Sequence, residues 1–168
     1  SVTVKDAAGN ISPNSATVSI TIDTVAPVAS TLVITNDVTS VVVPNGGSTN
    51  DTTPTLSGTV SAAEAGSRVS IYDNITGTQV LLGTAIVQAN GSWSYTTVAL
   101  LQGTHPISVT VTDPAGNISG TTSATVIIDT TPPAALTTSA SNNNGSSAVA
   151  ISNNGTTNDS TPPSSGSV

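Results

Sequence analysis

The chain has 168 residues, of which 36% are hydrophobic and only 7% are charged, and its nine acidic and two basic side chains give a formal net charge of −7 at pH 7. Cysteine and methionine are absent, which excludes disulfides, thiol catalysis and thiolate metal sites. With so few cations to neutralise phosphates, nucleic-acid binding is excluded as well. The longest apolar runs have only four residues, so no membrane span is predicted.

An internal repeat organises the chain. The segment Ser1 to Ser12 (SVTVKDAAGNIS) returns about 107 residues later as Ser108 to Ser119 (SVTVTDPAGNIS), and Asn50 to Pro54 (NDTTP) returns as Asn158 to Pro162 (NDSTP). The first residues already resemble the middle of a strand pattern, so we expect the chain to be a segment of a longer protein.

The repeat divides the chain into three parts. Residues 1–24 are predicted to be the C-terminal strands of a preceding repeat, residues 25–130 a complete repeat, and residues 131–168 the N-terminal part of a following repeat. Short joints that contain proline, residues 23–27 and 129–133, connect them. Because proline restricts the backbone, these joints predict a semi-rigid rod.

Within the complete repeat, apolar and polar residues alternate with a period of two, which is typical of strands with one buried face. Seven strands are predicted, at about 31–35, 55–60, 68–73, 79–87, 92–98, 106–112 and 122–129. Seven short strands in a repeat of this length predict an all-β fold, an antiparallel immunoglobulin-like β-sandwich. Trp93 is expected in its core together with other inward-facing apolar residues, namely Leu56, Val69, Ile71, Val109 and Val111.

Several motifs carry a resemblance to a known family. The segments Asp113 to Ser119, Asn50 to Pro54, Asn90 to Tyr95 (NGSWSY) and Asp129 to Pro133 (DTTPP) resemble the bacterial immunoglobulin-like repeats of giant type I-secreted and biofilm-associated adhesins. The resemblance implies an extracellular location, at the bacterial cell surface or secreted, and neighbouring repeats of the same chain as partners. It also implies that calcium often stiffens the joints between domains.

The acidic residues themselves make calcium the first candidate ligand, because they have almost no internal cations to pair with. In a sandwich the incoming joint and the loops after the second and sixth strands share one end. Asp23, Glu64, Asp113 and Asn117 are therefore predicted to meet there. A second set is predicted at the opposite end, comprising Asp51, Asp73 and Asp129. The alternative for each set is a structural one, since Asp and Asn begin turns by bonding to their own backbone.

The remaining chemistry-bearing residues point away from catalysis. His105 has no cysteine, second histidine or acidic residue nearby in sequence, and it is expected at an edge before a strand. Trp93 is favoured as a core anchor over a sugar-binding platform.

The leading functional hypothesis is a non-enzymatic extension module that carries a distal binding region and supports adhesion or biofilm formation. Two alternatives stay open. One is a filament subunit joined to other copies by strand addition, and the other is a carbohydrate-binding accessory module.

Overall fold

The structure is a computed structural model that describes residues 1–135, 137–142, 149–153, 155–156 and 160–167. The chain forms two compact units, Ser1–Thr130 and Thr131–Val168. Within the described residues, no helix is long and apolar enough to cross a membrane.

The first unit contains a sandwich of two sheets. One sheet has four antiparallel strands in the order β2-β1-β4-β7, and the other has five in the order β3-β9-β8-β5-β6. The strands are β1 (Val33–Asn36), β2 (Val41–Val43), β3 (Gly47–Thr49), β4 (Thr55–Thr59), β5 (Arg68–Asp73), β6 (Val80–Ile86), β7 (Ser92–Thr96), β8 (Gly103–Thr112) and β9 (Thr122–Ile128). All seven predicted strands are present, so the all-β immunoglobulin-like fold is confirmed.

Two further strands, β2 and β3, were not predicted because each has only three residues. The chain passes from one sheet to the other through the turn between them. Asn45 accepts a hydrogen bond from the Thr125 amide, 2.7 Å from N to Oδ1, and the Gly46 amide donates to the Thr125 carbonyl, 2.8 Å from N to O. The crossing is therefore fixed by β9, which lies about 80 residues further along the chain and gives no local signal.

Side chains from both sheets meet in one hydrophobic core. Every predicted core residue is buried, including Trp93, which is 2% exposed. The period-two alternation explains this arrangement, because Ile107, Val109 and Val111 all point to the inner face of β8. A glycine is needed opposite the tryptophan, since a Cβ at Gly58 would collide with the Thr31 carbonyl oxygen.

Residues 1–24 are exposed and contain no strand, only a single bridge between Lys5 and Ile11. The strands expected there are not formed, and no facing sheet covers the segment among the described residues. Its assignment to a preceding repeat stays a prediction.

The second unit contains a three-stranded antiparallel sheet of β10 (Thr137–Asn142), β11 (Val149–Ile151) and β12 (Ser164–Ser167). Its order, β11-β10-β12, is that of β2-β1-β4 in the first unit. The boundaries proposed for the repeats stay predictions. Asn158 and Asp159 of the repeated motif lie outside the described residues.

Candidate functional site

The end of the sandwich where the chain enters is built around the loop after β8. We call residues 113–119 the turn loop. Its backbone is closed by hydrogen bonds from the Asp113 amide to the Asn117 carbonyl and from the Gly116 amide to the Asp113 carbonyl, both 3.1 Å from N to O. Gly116 has φ +95°, which favours glycine. The turn therefore follows directly from its sequence.

Asp113 and Asn117 hold each other through their side chains. The Asn117 amide nitrogens, backbone N and side-chain Nδ2, donate to Oδ1 and Oδ2 of Asp113 respectively, both at 2.8 Å. The hydrogen bond from the Asn117 side chain lowers the pKa of the Asp113 carboxyl below its usual value. Asp113 is thus satisfied within its own loop.

The first copy of this sequence, residues 6–12, forms the same turn. Asn10 donates to both Asp6 oxygens, at 2.9 Å from its backbone N to Oδ1 and at 2.8 Å from Nδ2 to Oδ2. The hydrogen bond from the Asn10 side chain likewise lowers the pKa of Asp6. This copy is exposed throughout, so the geometry of the turn comes from the sequence and needs no surrounding sandwich.

The joint before the complete repeat touches the turn loop. Nδ2 of Asn117 lies 3.2 Å from the backbone carbonyl oxygen of Asp23 and donates to it. The carboxylate of Asp23 accepts a hydrogen bond from the Val25 amide, 3.0 Å from N to Oδ1. Glu64 accepts from the Ser67 hydroxyl, 3.3 Å from Oγ to Oε2. Of the four predicted residues, the structure therefore links the backbone of Asp23 to Asn117 and Asn117 to Asp113, whereas the hydrogen bond of Glu64 is with nearby Ser67.

The chain is anchored again where the joint ends. Pro27 is buried, and the Trp93 indole N–H donates to Ser30, 2.6 Å from Nε1 to Oγ. The Thr122 hydroxyl at the start of β9 donates to the Ser30 carbonyl oxygen, 2.7 Å away. No local pattern indicates the role of Ser30, because its partners lie 63 and 92 residues away in the sequence.

At the opposite end, Asp51 is buried and structural contacts occupy its carboxylate. Oδ2 accepts from the Asp37 amide at 2.7 Å, and Oδ1 accepts from the Thr53 amide at 2.9 Å. Asp37 was not among the predicted residues. Its own carboxylate accepts a hydrogen bond from the Thr55 hydroxyl, 2.8 Å from Oγ1 to Oδ2. Strand pairing of β1 with β4 brings Asp37 and Asp51 together.

The expectation that His105 lies alone at a strand edge is wrong. His105 lies inside β8, is 3% exposed, and has Nδ1 2.6 Å from Oδ2 of the buried Asp73. Its Nε2 donates to the Leu101 carbonyl oxygen at 2.7 Å, because a carbonyl can only accept. Strands β5 and β8 are neighbours that pair Asp73 with Ile107, which places the acid beside the histidine although 32 residues separate them.

The three acids predicted for this end occupy different environments. The Asp129 amide donates to the Thr49 carbonyl oxygen, 2.8 Å from N to O, while Asp51 and Asp73 are held as described above. Over the described part of the chain, no three histidine or acidic side chains gather closely enough to hold a metal ion. The assignments of Asp23, Glu64, Asp113, Asn117, Asp51, Asp73 and Asp129 as metal ligands stay predictions.

Trp93 is buried, as predicted. Tyr95 closes the corner between the sheets by donating from its hydroxyl to the Leu82 carbonyl oxygen, at 2.6 Å. Both aromatic side chains of β7 are therefore used inside the sandwich.

The fold and sequence define the family. A profile of the bacterial Ig-like domain matches residues 27–130, and the chain belongs to this family. One solved structure is similar at 25% identity with a TM-score of 0.44, and its description is "Crystal structure of tetra-tandem repeat in extending region of large adhesion protein". The match covers 82% of this chain and 31% of that chain, so the present chain spans about a third of its length. No curated protein matches the sequence.

Proposed function

We propose that the chain is a non-catalytic spacer segment of a large bacterial adhesion protein, located at the cell surface or secreted. Its repeats extend the protein so that a distal region reaches its target in attachment or biofilm formation. Membership of the bacterial Ig-like domain family and the internal repeat both support this role.

The observation that carries the proposal is where the chain enters and leaves the complete repeat. The Ser30 carbonyl accepts a hydrogen bond from Thr122 at the start of β9. The amide of Asp129, which follows β9, donates a hydrogen bond to the Thr49 carbonyl. A strand of seven residues is roughly 20 Å long, at about 3.3 Å per residue. The chain therefore enters at one end of the sandwich and leaves at the other, so each repeat adds its full length to the protein.

A binding module would need a recognition surface, and the aromatic residues favour the spacer instead. Trp93 is buried and bonded to Ser30, and Tyr95 is bonded to Leu82. Sugar-binding platforms rely on exposed aromatic rings, which these two side chains do not supply. This arrangement supports the spacer over the carbohydrate-binding alternative.

The proposal includes calcium at the joint before the complete repeat, with Asp23, Glu64, Asp113 and Asn117 as its candidate ligands. The residues fit the ion in part. They supply carboxylate and amide oxygens, as calcium prefers, but each carboxylate already accepts a hydrogen bond within the chain. We do not extend the calcium proposal to the opposite end, because Asp51 and Asp73 are buried and bonded there.

A second candidate, association through strand addition, is supported by the apolar face of residues 1–24. Val2, Val4, Val18 and Ile20 are 72–82% exposed. Their counterparts in the repeat are all buried, namely Val109, Val111, Val126 and Ile128. The same apolar face is buried in the complete repeat and exposed in residues 1–24. We expect a preceding repeat or another copy of the chain to cover the exposed face.

The spacer proposal is tested by small-angle X-ray scattering of a protein with two complete repeats. We expect the maximum dimension to be nearly twice that of one repeat. A compact particle, with the two sandwiches side by side, would contradict the spacer function.

The same protein tests calcium. Thermal melting with calcium and with chelator should differ, since a ligand that binds only the folded state stabilises it by RT ln(1 + [L]/Kd). Identical melting and identical scattering profiles in the two conditions would remove calcium from the proposal and leave the spacer function intact.

Strand addition is tested by sedimentation of the present chain at increasing concentration, with Ile20→Asp as the variant. Concentration-dependent association that the substitution abolishes supports it. A monomer at every concentration excludes association between copies.

A further inference from the structure

The side-chain amide of Asn117 has two N–H groups, and Nδ2 serves two acceptors. It donates to Oδ2 of Asp113 at 2.8 Å, within the turn loop, and to the backbone carbonyl oxygen of Asp23 at 3.2 Å. The second acceptor lies 94 residues away in sequence and belongs to the joint. Asn117 therefore links the turn loop directly to the chain that enters the repeat.

The first copy of the turn shows what happens without this contact. Asn10 keeps the same two hydrogen bonds to the Asp6 carboxylate, one from its backbone N and one from Nδ2, with the Nδ2 to Oδ2 distance again 2.8 Å. No contact of Asn10 with a joint is seen among the described residues. The turn thus has the geometry needed to hold a joint before any joint is bound, and this pre-organisation reduces the entropy lost on contact.

We infer that the turn loop is a preformed holder for the incoming joint, and that Asn117 is the positioning residue that fixes the joint through its side-chain amide. The contact is to a backbone carbonyl, which every residue possesses. The same turn can therefore hold joints of different sequence.

A second anchor makes the contact effective. Between Asp23 and Ser30 the chain is held at both ends, by Asn117 at one and by Trp93 and Thr122 at the other. Pro27 lies between these anchors and is buried. Removing Asn117 frees the outer end of this short segment while the inner end stays attached. The inference deepens the proposed spacer function and rests on it for its biological purpose.

The experiment compares Asn117→Ala with the matched control Asn10→Ala in the present chain, with chelator in all samples. Both substitutions remove the same side-chain interaction with an aspartate, but only the first removes a contact with the joint. The readout is the backbone order parameter of the Thr24, Val25 and Ala26 amides from nitrogen-15 relaxation. Amides of the turn loop report whether the turn itself stays folded.

We expect the three joint amides to fall from the rigid range, about 0.85, to below about 0.6 in Asn117→Ala, and to stay unchanged in Asn10→Ala. A direct measurement on the unaltered chain is the scalar coupling across the hydrogen bond from Asn117 Nδ2 to the Asp23 carbonyl carbon, which requires no variant to fold.

Unchanged joint amides in Asn117→Ala, or an equal loss of order in Asn10→Ala, would overturn the inference. So would joint amides that are already flexible in the chelated, unaltered chain. These outcomes are independent of the scattering test, which measures the length of a two-repeat protein. An extended two-repeat protein with flexible joint amides would support the spacer function and contradict the role of Asn117 in holding the joint. A compact protein with ordered joint amides would contradict the spacer function and support that role.

Discussion

Replacing His105 by alanine tests the buried pair that sequence reasoning missed. In the folded chain Asp73 is 1% exposed, and its Oδ1 has no hydrogen-bond partner among the described residues. Within the described part of the chain, the side-chain partner of Asp73 is His105, through Oδ2 and Nδ1 at 2.6 Å. Without the imidazole ring, the Asp73 carboxylate would be buried with no hydrogen bond to either oxygen. Such a group lowers the free energy of unfolding far more than the loss of an exposed ion pair does.

The expected loss is about 3–5 kcal/mol in the free energy of unfolding, since breaking a buried pair leaves an uncompensated group. A domain of this size has a total stability of about 5–15 kcal/mol, so the variant should be marginally stable. Each kcal/mol should lower the melting temperature by about 4–8 °C.

The assay is denaturant unfolding of a double-mutant cycle with His105→Ala, Asp73→Ala and the double variant. Removing both partners leaves no unpaired group, so the double variant should be more stable than the sum of the two single losses predicts. A loss below about 1 kcal/mol for His105→Ala, or strict additivity in the cycle, would refute the reasoning that a buried pair stabilises this end.

Two further predictions concern Trp93 and the aspartates of the two copies of the turn. Trp93→Ala should lower the free energy of unfolding by about 3–5 kcal/mol through lost burial and a cavity. Trp93→Phe should lower it clearly less, because it keeps an aromatic ring and loses mainly one hydrogen bond. Equal losses in denaturant unfolding would mean that the hydrogen bond, not the packing, dominates. Asp6 and Asp113 have a lowered pKa in the folded chain, so their stabilising contribution is present above the unfolded pKa near 3.8 and is lost as the pH falls through the lowered folded value. Carboxyl-carbon NMR titration should show both midpoints below 3.8. Asn10→Ala should raise the midpoint of Asp6 only, and Asn117→Ala that of Asp113 only. Midpoints that do not move would exclude the asparagine side chains as the cause of the lowered pKa.

The sequence alone determined the features that depend on local pattern. Period-two alternation predicted seven strands and placed Trp93 and Val109 in the core, because one face of a strand is buried wherever a sheet packs on another. Self-comparison predicted a repeat. The turn loop belongs to the same group of features, since residues 6–12 fold as residues 113–119 do although one copy is wholly exposed.

The tertiary structure decided every contact between residues that are distant in sequence. The pairing of β5 with β8 brings Asp73 to His105, the start of β9 brings Thr122 to Ser30, and the joint comes to Asn117 across 94 residues. None of these pairs leaves a local signal, because strand order and register, rather than composition, set which side chains face each other. Among the acids suggested as metal ligands, Asp73 and Asp51 have partners that strand pairing brings to them, whereas Asp113 is held within its own loop.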